Sequence, residues 1–389
     1  MCIDTIGLSI RKGQYAVLNP SAFIPLFKRI NEDDESQLIE FLRVKKGLQS
    51  YRLNPNEELK RSGLVYPNIT IYETYKRTRD YQCNLKLHIS VPRMLLGYNV
   101  EEIDNSHYPQ AIPTLQSRLK DMGVLVRDDA IQEAEVTTLH YCMNILMESE
   151  SQARLLLSAV NKMTLGERYE NHSRDYSNGG KTVRFHTNVF EFIIYLKYYD
   201  FLTTGHDRID KKRTPREKAV AEELARTNNI PPLIRIEIRF MGKPSIRQHL
   251  RTILGIDKKV WTFKEVFSEG ISRKVIQFYW HKLTNNPLNK LMLTHISDED
   301  LYFKLREKFD TTPQRILDNS IGLFKRLQAQ GTADFKKESL RKYSRSKWYK
   351  DQERIITFLE ENKLVNSEGL IDFMEFAVTK KPTQLGLPI

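Results

Sequence analysis

The feature that most constrains this chain is a change of hydrophobic period at Gly242. Before that glycine, strand-like runs recur: Ile3 to Ile10, Leu64 to Glu73, Asn84 to Ser90, Val136 to Met147, Lys181 to Phe185, Phe190 to Tyr199 and Pro232 to Phe240. Asn178-Gly179-Gly180 is a strong turn signal ahead of the Lys181 run. Helical spacing appears between the strands. It runs over Ser21 to Val44 (interrupted by the acidic stretch Glu32 to Glu35), Gln110 to Met122 closed by Gly123, and Ser151 to Met163. Thr214-Pro215-Arg216-Glu217 is a capping box with proline at the first helical position, and opens a helix to about Arg226. After Gly242 helix signals follow one another. Thr262-Phe263-Lys264-Glu265 is a second capping box, closed by Gly270. Ser297 caps Asp298 to Phe309, and Thr312-Pro313 opens a helix to Gln330 that Gly331 stops. Two more helices are expected over Phe335 to Asn362 and Ser367 to Val378. The reading is an α+β domain over residues 1–242, an antiparallel sheet with flanking helices, followed by a helical domain over 243–389.

A length of 389 residues fits two domains, and 40% apolar residues suffice for a core. The formal net charge of +12 favours a polyanionic partner, nucleic acid ahead of an anionic membrane surface. No run of ~18 apolar residues exists, so no membrane span is expected. The N-terminus, Met1-Cys2-Ile3-Asp4, lacks a basic and apolar leader, and three scattered cysteines form no CxxC pair. Both features suit a reducing cytoplasm.

The chain has no GxxxxGK[ST] loop, HExxH, GxSxG or clustered Cys/His set, so a nucleotide-driven motor and a zinc hydrolase are not expected. Tyrosine stands out, with 18 copies. Read as a continuous strand, Phe190 to Tyr199 places Tyr195, Lys197 and Tyr199 on one face and Tyr198 on the other. A tyrosine nucleophile, with a phenol pKa of about 10, needs a cation or a metal beside it to favour the phenolate. Lys197 supplies that cation for Tyr195. Tyr199 is the competing nucleophile, and Tyr176 is a weaker one on the loop beside Asn178. A half-buried strand with a polar outer face accounts for the same pattern without chemistry.

Glu237 stands in the middle of an apolar strand, where an unpaired charge costs several kcal/mol. A metal ion or a salt bridge with Arg235 or Arg239 would account for it. His88 and His140 lie in similar runs, as do Asp4 and Glu73. Histidine plus carboxylate suits Mg²⁺ or Mn²⁺. Two basic stretches are candidate DNA contacts. Lys336, Lys337, Arg341, Lys342, Arg345, Lys347 and Lys350 are interleaved with Tyr343, Trp348 and Tyr349, so that cations can follow phosphates and rings can stack on bases. Here too a solvated helix face with its rings in the core is the plainer account. His206 to Lys218 is a basic loop entering a helix.

Several of these segments fall in an order and spacing that resembles the gene II replication initiators of filamentous phages and related plasmid proteins. Ile71-Tyr72-Glu73, the segment Val91 to Val100, Val136-Thr137-Thr138-Leu139, Tyr195-Leu196-Lys197 and Ile234-Arg235-Ile236-Glu237-Ile238-Arg239 carry the likeness. Leu323 to Leu327 and Ser346 to Tyr349 are similar to the family's separately expressed C-terminal portion, the X protein. The sequence departs from the family at Tyr98, where a histidine is usual, and near Met143, where an acidic residue is usual; His140 lies three positions earlier.

The resemblance implies a palm-like nuclease sheet and a tyrosine nickase acting in rolling-circle replication. Tyr195 would be the nucleophile and Lys197 its activator. His88, His140 and Glu237 would bind Mg²⁺ or Mn²⁺. The DNA contacts would be Lys336, Lys337, Arg341, Lys342, Arg345, Lys347, Trp348 and Tyr349. Single- and double-stranded origin DNA, a host helicase and a polymerase would be the partners. A reading of another class is a non-catalytic helix-turn-helix initiator or copy-number repressor, favoured by the helical second half.

Overall fold

The computed structural model describes residues 3–19, 22–25, 48–75, 81–166, 169, 174–177, 181–202, 213–227, 232–286, 288–289, 292, 299, 302–303, 306–307 and 314–361. Its strands are β1 (Ile3–Arg11), β2 (Tyr15–Val17), β3 (Ile24–Pro25), β4 (Leu48–Leu53), β5 (Asn68–Tyr75), β6 (Tyr81–Ser90), β7 (Val124–Val126), β8 (Glu135–Leu146), β9 (Arg174–Ser177), β10 (Thr182–Thr187), β11 (Phe190–Leu196) and β12 (Leu233–Met241). Ten of them form one antiparallel sheet in the order β3-β4-β5-β6-β1-β8-β12-β11-β10-β9, and β2 pairs with β7 separately.

The centre of this sheet is asymmetric. Alternation sends Ile6, Leu8 and Ile10 of β1, Tyr141, Met143 and Ile145 of β8, Ile234, Ile236, Ile238 and Phe240 of β12, and Phe190, Phe192 and Ile194 of β11 to one face, where all are buried. Burying each such side chain contributes about 1.5–3 kcal/mol, which fixes the register strongly. Helices Glu150–Asn161, Lys243–Leu254 and Glu269–Thr284 cover this face. The opposite face carries His88, His140, Glu237, Arg239, Glu191, Arg184 and His186, which oppose or neighbour one another along the register.

One hydrophobic core runs from Ile3 through Leu283, taking in Ile246, Leu250, Val275 and Trp280. The change at Gly242 is therefore a switch from strands to covering helices within a single core, and the expected boundary between 1–242 and 243–389 does not separate two cores. The last helices, Gln314–Gln330, Thr332–Lys342 and Arg345–Glu361, are tied back to the body. Asn289 donates to the carbonyls of Thr164 and Leu283 and accepts from the Thr332 hydroxyl. Gly331, at φ 84°, lies so close to Lys162 that a Cβ there would sit 2.6 Å from the Lys162 carbonyl oxygen. Only glycine combines that backbone with that approach.

Four expected elements are revised. The run Phe190 to Tyr199 is a strand only to Leu196, and Lys197–Leu202 is helical, so Lys197 and Tyr199 do not share a strand face with Tyr195. The strand expected from Leu64 begins at Asn68. Gly270 lies inside helix Glu269–Thr284, whose N-cap is Ser268, and the short helix Phe263–Val266 ends earlier at Phe267. The helix expected over Phe335 to Asn362 is two helices broken at Tyr343, which is extended. Expectations for the Asn178-Gly179-Gly180 turn, the loop 206–212, the helix 367–378 and most of Ser21 to Val44 and Asp298 to Phe309 fall outside the described residues. Among the described residues no helix is long and apolar enough to cross a membrane.

Candidate metal and nucleophile site

β12 builds the centre of the polar face. Period-two alternation puts Arg235, Glu237 and Arg239 in one row, opposite Tyr195, Ile193 and Glu191 of β11 and Asn144, Cys142 and His140 of β8. Arg235 is 1% exposed. Its guanidinium donates to Asn144 Oδ1 (2.7 Å), to the Val100 carbonyl (3.0 Å) and to Asp4 Oδ1 (3.4 Å). Asn144 Nδ2 donates to the same carbonyl at 2.6 Å, and the Asn144 backbone N–H to Glu102. A buried cation thus gathers β1, β8, β12 and the segment after Leu96 around itself.

Asp4 reaches this face through an irregularity in β1. Ile3 pairs with Tyr141 but Thr5 with His140, so Asp4 is an extra residue in the β1–β8 ladder. In unbroken alternation Asp4 would share the apolar face of Ile6. A bulge re-aims such a side chain. The ligand atoms of Asp4, His140 and Glu237 all lie within 4.8 Å of one another.

Glu237 is almost wholly buried, with Arg239 Nε 2.9 Å from Oε1 and Arg239 Nη2 3.0 Å from Oε2. His140 Nδ1 is 3.5 Å from Oε1. Burial alone would raise this carboxyl. The hydrogen bond from His140 and the charge of Arg239 outweigh it and hold Glu237 below the usual carboxylate range. The Tyr195 hydroxyl, in a side chain 8% exposed, donates to Glu237 Oε2 at 3.4 Å.

Two carboxylates and one imidazole form a donor set that suits Mg²⁺ or Mn²⁺. Each carboxylate oxygen accepts at two sites, so the Arg239 bridge leaves lone pairs on Glu237 for a metal. Asp4 and Glu237 are already neutralised by Arg235 and Arg239, which favours a metal arriving with an anion such as a phosphate over a tightly held resident ion.

The sequence candidates are placed unevenly. His140 and Glu237 belong to the group and Asp4 joins them. His88 is exposed on β6, with its ring centroid 6.4 Å from that of His140, and is outside the group. Lys197 is buried, donates to Asn99 Oδ1 at 3.1 Å and places Nζ 5.8 Å from the Tyr195 ring centroid. Tyr199 lies apart, bonded to Glu150 and Arg154. Tyr198 is buried among Tyr98, Val220 and Leu224, and burial pushes its hydroxyl up to about 12. Tyr176 stands on β9 opposite Val183, two strands from Tyr195.

In the C-terminal stretch Lys337, Arg341, Lys342, Arg345, Lys347 and Tyr349 are exposed and Lys336 is half-buried. Lys342 pairs with Glu338 and Lys347 with Asp351. Trp348 is 3% exposed and packs on Phe335 at 5.8 Å. Its ring belongs to the helix core, which corrects its assignment as a base-stacking contact. The residues the sequence reading missed are Asn99, which receives Lys197, and Asn144, which orients Arg235. Neither carries a signal in composition or period.

Comparison with family models, with curated proteins and with solved structures gave no match.

Proposed function

We propose that this chain is a metal-assisted tyrosine DNA strand transferase that nicks one strand at a replication origin and starts rolling-circle replication. The observation that carries the reading is convergence in space. The segments holding Asp4, Asn99-Val100, His140, Tyr195-Lys197 and Arg235-Glu237-Arg239 are far apart in sequence. They meet around the polar sheet face, Lys197 from the helix after β11 and Asn99-Val100 from the segment after Leu96, through the bonds Lys197–Asn99, Arg235–Val100, Arg235–Asp4, His140–Glu237 and Tyr195–Glu237. A structural salt bridge accounts for Glu237 and Arg239. It does not account for a tyrosine hydroxyl, an imidazole and a second carboxylate gathered at the same point.

In the proposed reaction the Tyr195 oxygen attacks a phosphodiester phosphorus. One P–O bond forms and the P–O3′ bond breaks, leaving a 5′-phosphotyrosine and a 3′ oxygen that takes up a proton. The bond energy stays in the phosphotyrosine for later rejoining, so no nucleotide is consumed. Glu237 Oε2 accepts the Tyr195 hydroxyl and orients it, and the phenol proton leaves to solvent water as the oxygen attacks. Lys197, anchored by Asn99, stabilises the phenolate charge. A divalent ion held by Asp4, His140 and Glu237 would supply positive charge at the scissile phosphate. The freed 3′-OH primes a polymerase, and strand separation falls to a host helicase.

The test is incubation with supercoiled origin plasmid and Mn²⁺. A nicked circle and a protein–DNA adduct that survives SDS are expected. Specific binding with neither product would favour a helix-turn-helix initiator without catalysis. That second reading draws on the close succession of helices Thr332–Lys342 and Arg345–Glu361, with exposed cations on both.

A further inference from the structure

Beside the Tyr195 site the same sheet face opens into a groove of about 650 Å³ over β5, β6 and β1. Its walls carry Arg52, Lys86, Lys243 and His88, the ring of Tyr72 and the hydroxyl of Thr70, with no carboxylate among the described lining residues. The register places these side chains in continuous rows. Arg52 opposes Thr70, Thr70 opposes Lys86, and His88 opposes Gly7, which opposes Thr138, two residues from His140. A Cβ on Gly7 would lie 2.8 Å from Thr137 Oγ1, so the floor between His88 and the strand of His140 can carry no side chain there. Lys243 is paired with Glu135. Among the described residues Arg52 and Lys86 have no carboxylate partner. Burial and the charge of Lys243 push the Lys86 ammonium below its ordinary value, a strain that an anion would relieve. Lys86 Nζ stands 4.0 Å from the centroid of the Tyr72 ring.

We infer that this groove is a binding track for single-stranded DNA, with phosphates on Lys86 and Arg52 and a base stacked at Tyr72, leading the strand past His88 to the Tyr195 site. The inference rests on the strand-transfer reading for its ligand, but the groove's chemistry is independent of Tyr195. Arg52 and Lys86, with no carboxylate partner among the described residues, suit an anion. A ring beside them suits an unpaired base, whose flat face a duplex keeps stacked.

The experiment measures fluorescence anisotropy of a labelled 12-nucleotide strand, and of the same sequence as a duplex, in a Tyr195→Phe background without cleavage. Tyr72→Ala is expected to weaken single-strand affinity about 5- to 150-fold and leave duplex affinity nearly unchanged, while Tyr72→Phe keeps wild-type affinity. Arg52→Ala with Lys86→Ala is expected to reduce the slope of log K against log salt by about 1.4, at about 0.7 for each phosphate no longer neutralised. Unchanged single-strand affinity and slope, in variants whose circular dichroism matches the parent, would overturn the inference. Equal losses for strand and duplex would also overturn it, marking a general polyanion patch. No nicking by the parent chain, with these binding effects present, would sink the strand-transfer reading and leave the groove standing. Nicking with normal binding by the groove variants would do the reverse.

Discussion

Tyr195 and Glu237 lie on neighbouring strands but are not directly opposite. Tyr195 pairs with Arg235, so its hydroxyl reaches diagonally, over 3.4 Å, to Glu237 Oε2. The diagonal depends on Glu237 leaning between Arg239 and His140. Its consequences can be measured in the metal, in stability and in chemistry.

Asp4→Asn keeps the shape of the bulge residue and removes a negative ligand. Calorimetric titration with Mn²⁺ should show affinity falling at least tenfold, with a similar loss for His140→Ala and little change for His88→Ala. Equal losses for His88→Ala and His140→Ala would place the ion nearer β6. Nicking should stop in EDTA and return with added Mn²⁺.

Arg235→Ala should be among the most damaging single changes. It leaves the buried Asp4 carboxylate without its cation, and urea unfolding should show a loss of about 3–5 kcal/mol. Arg235 also holds Asn144 and the Val100 carbonyl, so lysine, a point donor, should restore only part of the stability.

The acid limb of stability should report Glu237. Its folded carboxyl lies below its ordinary value of 4.5. Its ionised form therefore stabilises the fold above about pH 4.5, and that contribution fades as pH falls toward the lower folded value. Arg239→Gln removes the main guanidinium partner, so in EDTA the variant should lose stability at a higher pH than the parent. Coincident acid transitions would show that Arg239 does not set this carboxylate.

The two neighbouring rings of the C-terminal stretch should separate cleanly. Trp348→Ala empties a site in the core against Phe335 and should cost about 3–5 kcal/mol in the packing of helices Thr332–Lys342 and Arg345–Glu361. Tyr349→Ala, at an exposed position, should leave the melting temperature within about 2 °C and change only DNA affinity.

Much of the sheet was legible because its apolar rows are long and β-branched: β8, β12 and the start of β1 lie within a residue or two of their expected places. Glu237 and His140 stood out because a charge or imidazole in such a row needs a partner. Three things were not legible, each for a physical reason. Asp4 stood among the candidates, but its turn onto the polar face depends on a bulge that period-two counting cannot register. The end of β11 at Leu196 depends on tertiary contacts, since Lys197, Tyr198 and Tyr199 fit either a strand or a helix by propensity. The shared core of residues 1–242 with the next two long helices, Lys243–Leu254 and Glu269–Thr284, depends on which surface those amphipathic helices cover, and pattern alone leaves that open.

Tyr195 is the residue proposed to carry the DNA. The most direct measurement is peptide mapping by mass spectrometry of the adduct trapped on a nicked origin oligonucleotide, beside the Tyr195→Phe variant. One modified peptide is expected, with the 5′-phosphate on Tyr195, and no adduct or nick from Tyr195→Phe even though that variant still binds Mn²⁺ and DNA. A 5′-phosphate on Tyr199, Tyr176 or any other residue, or an undiminished adduct from Tyr195→Phe, would contradict it.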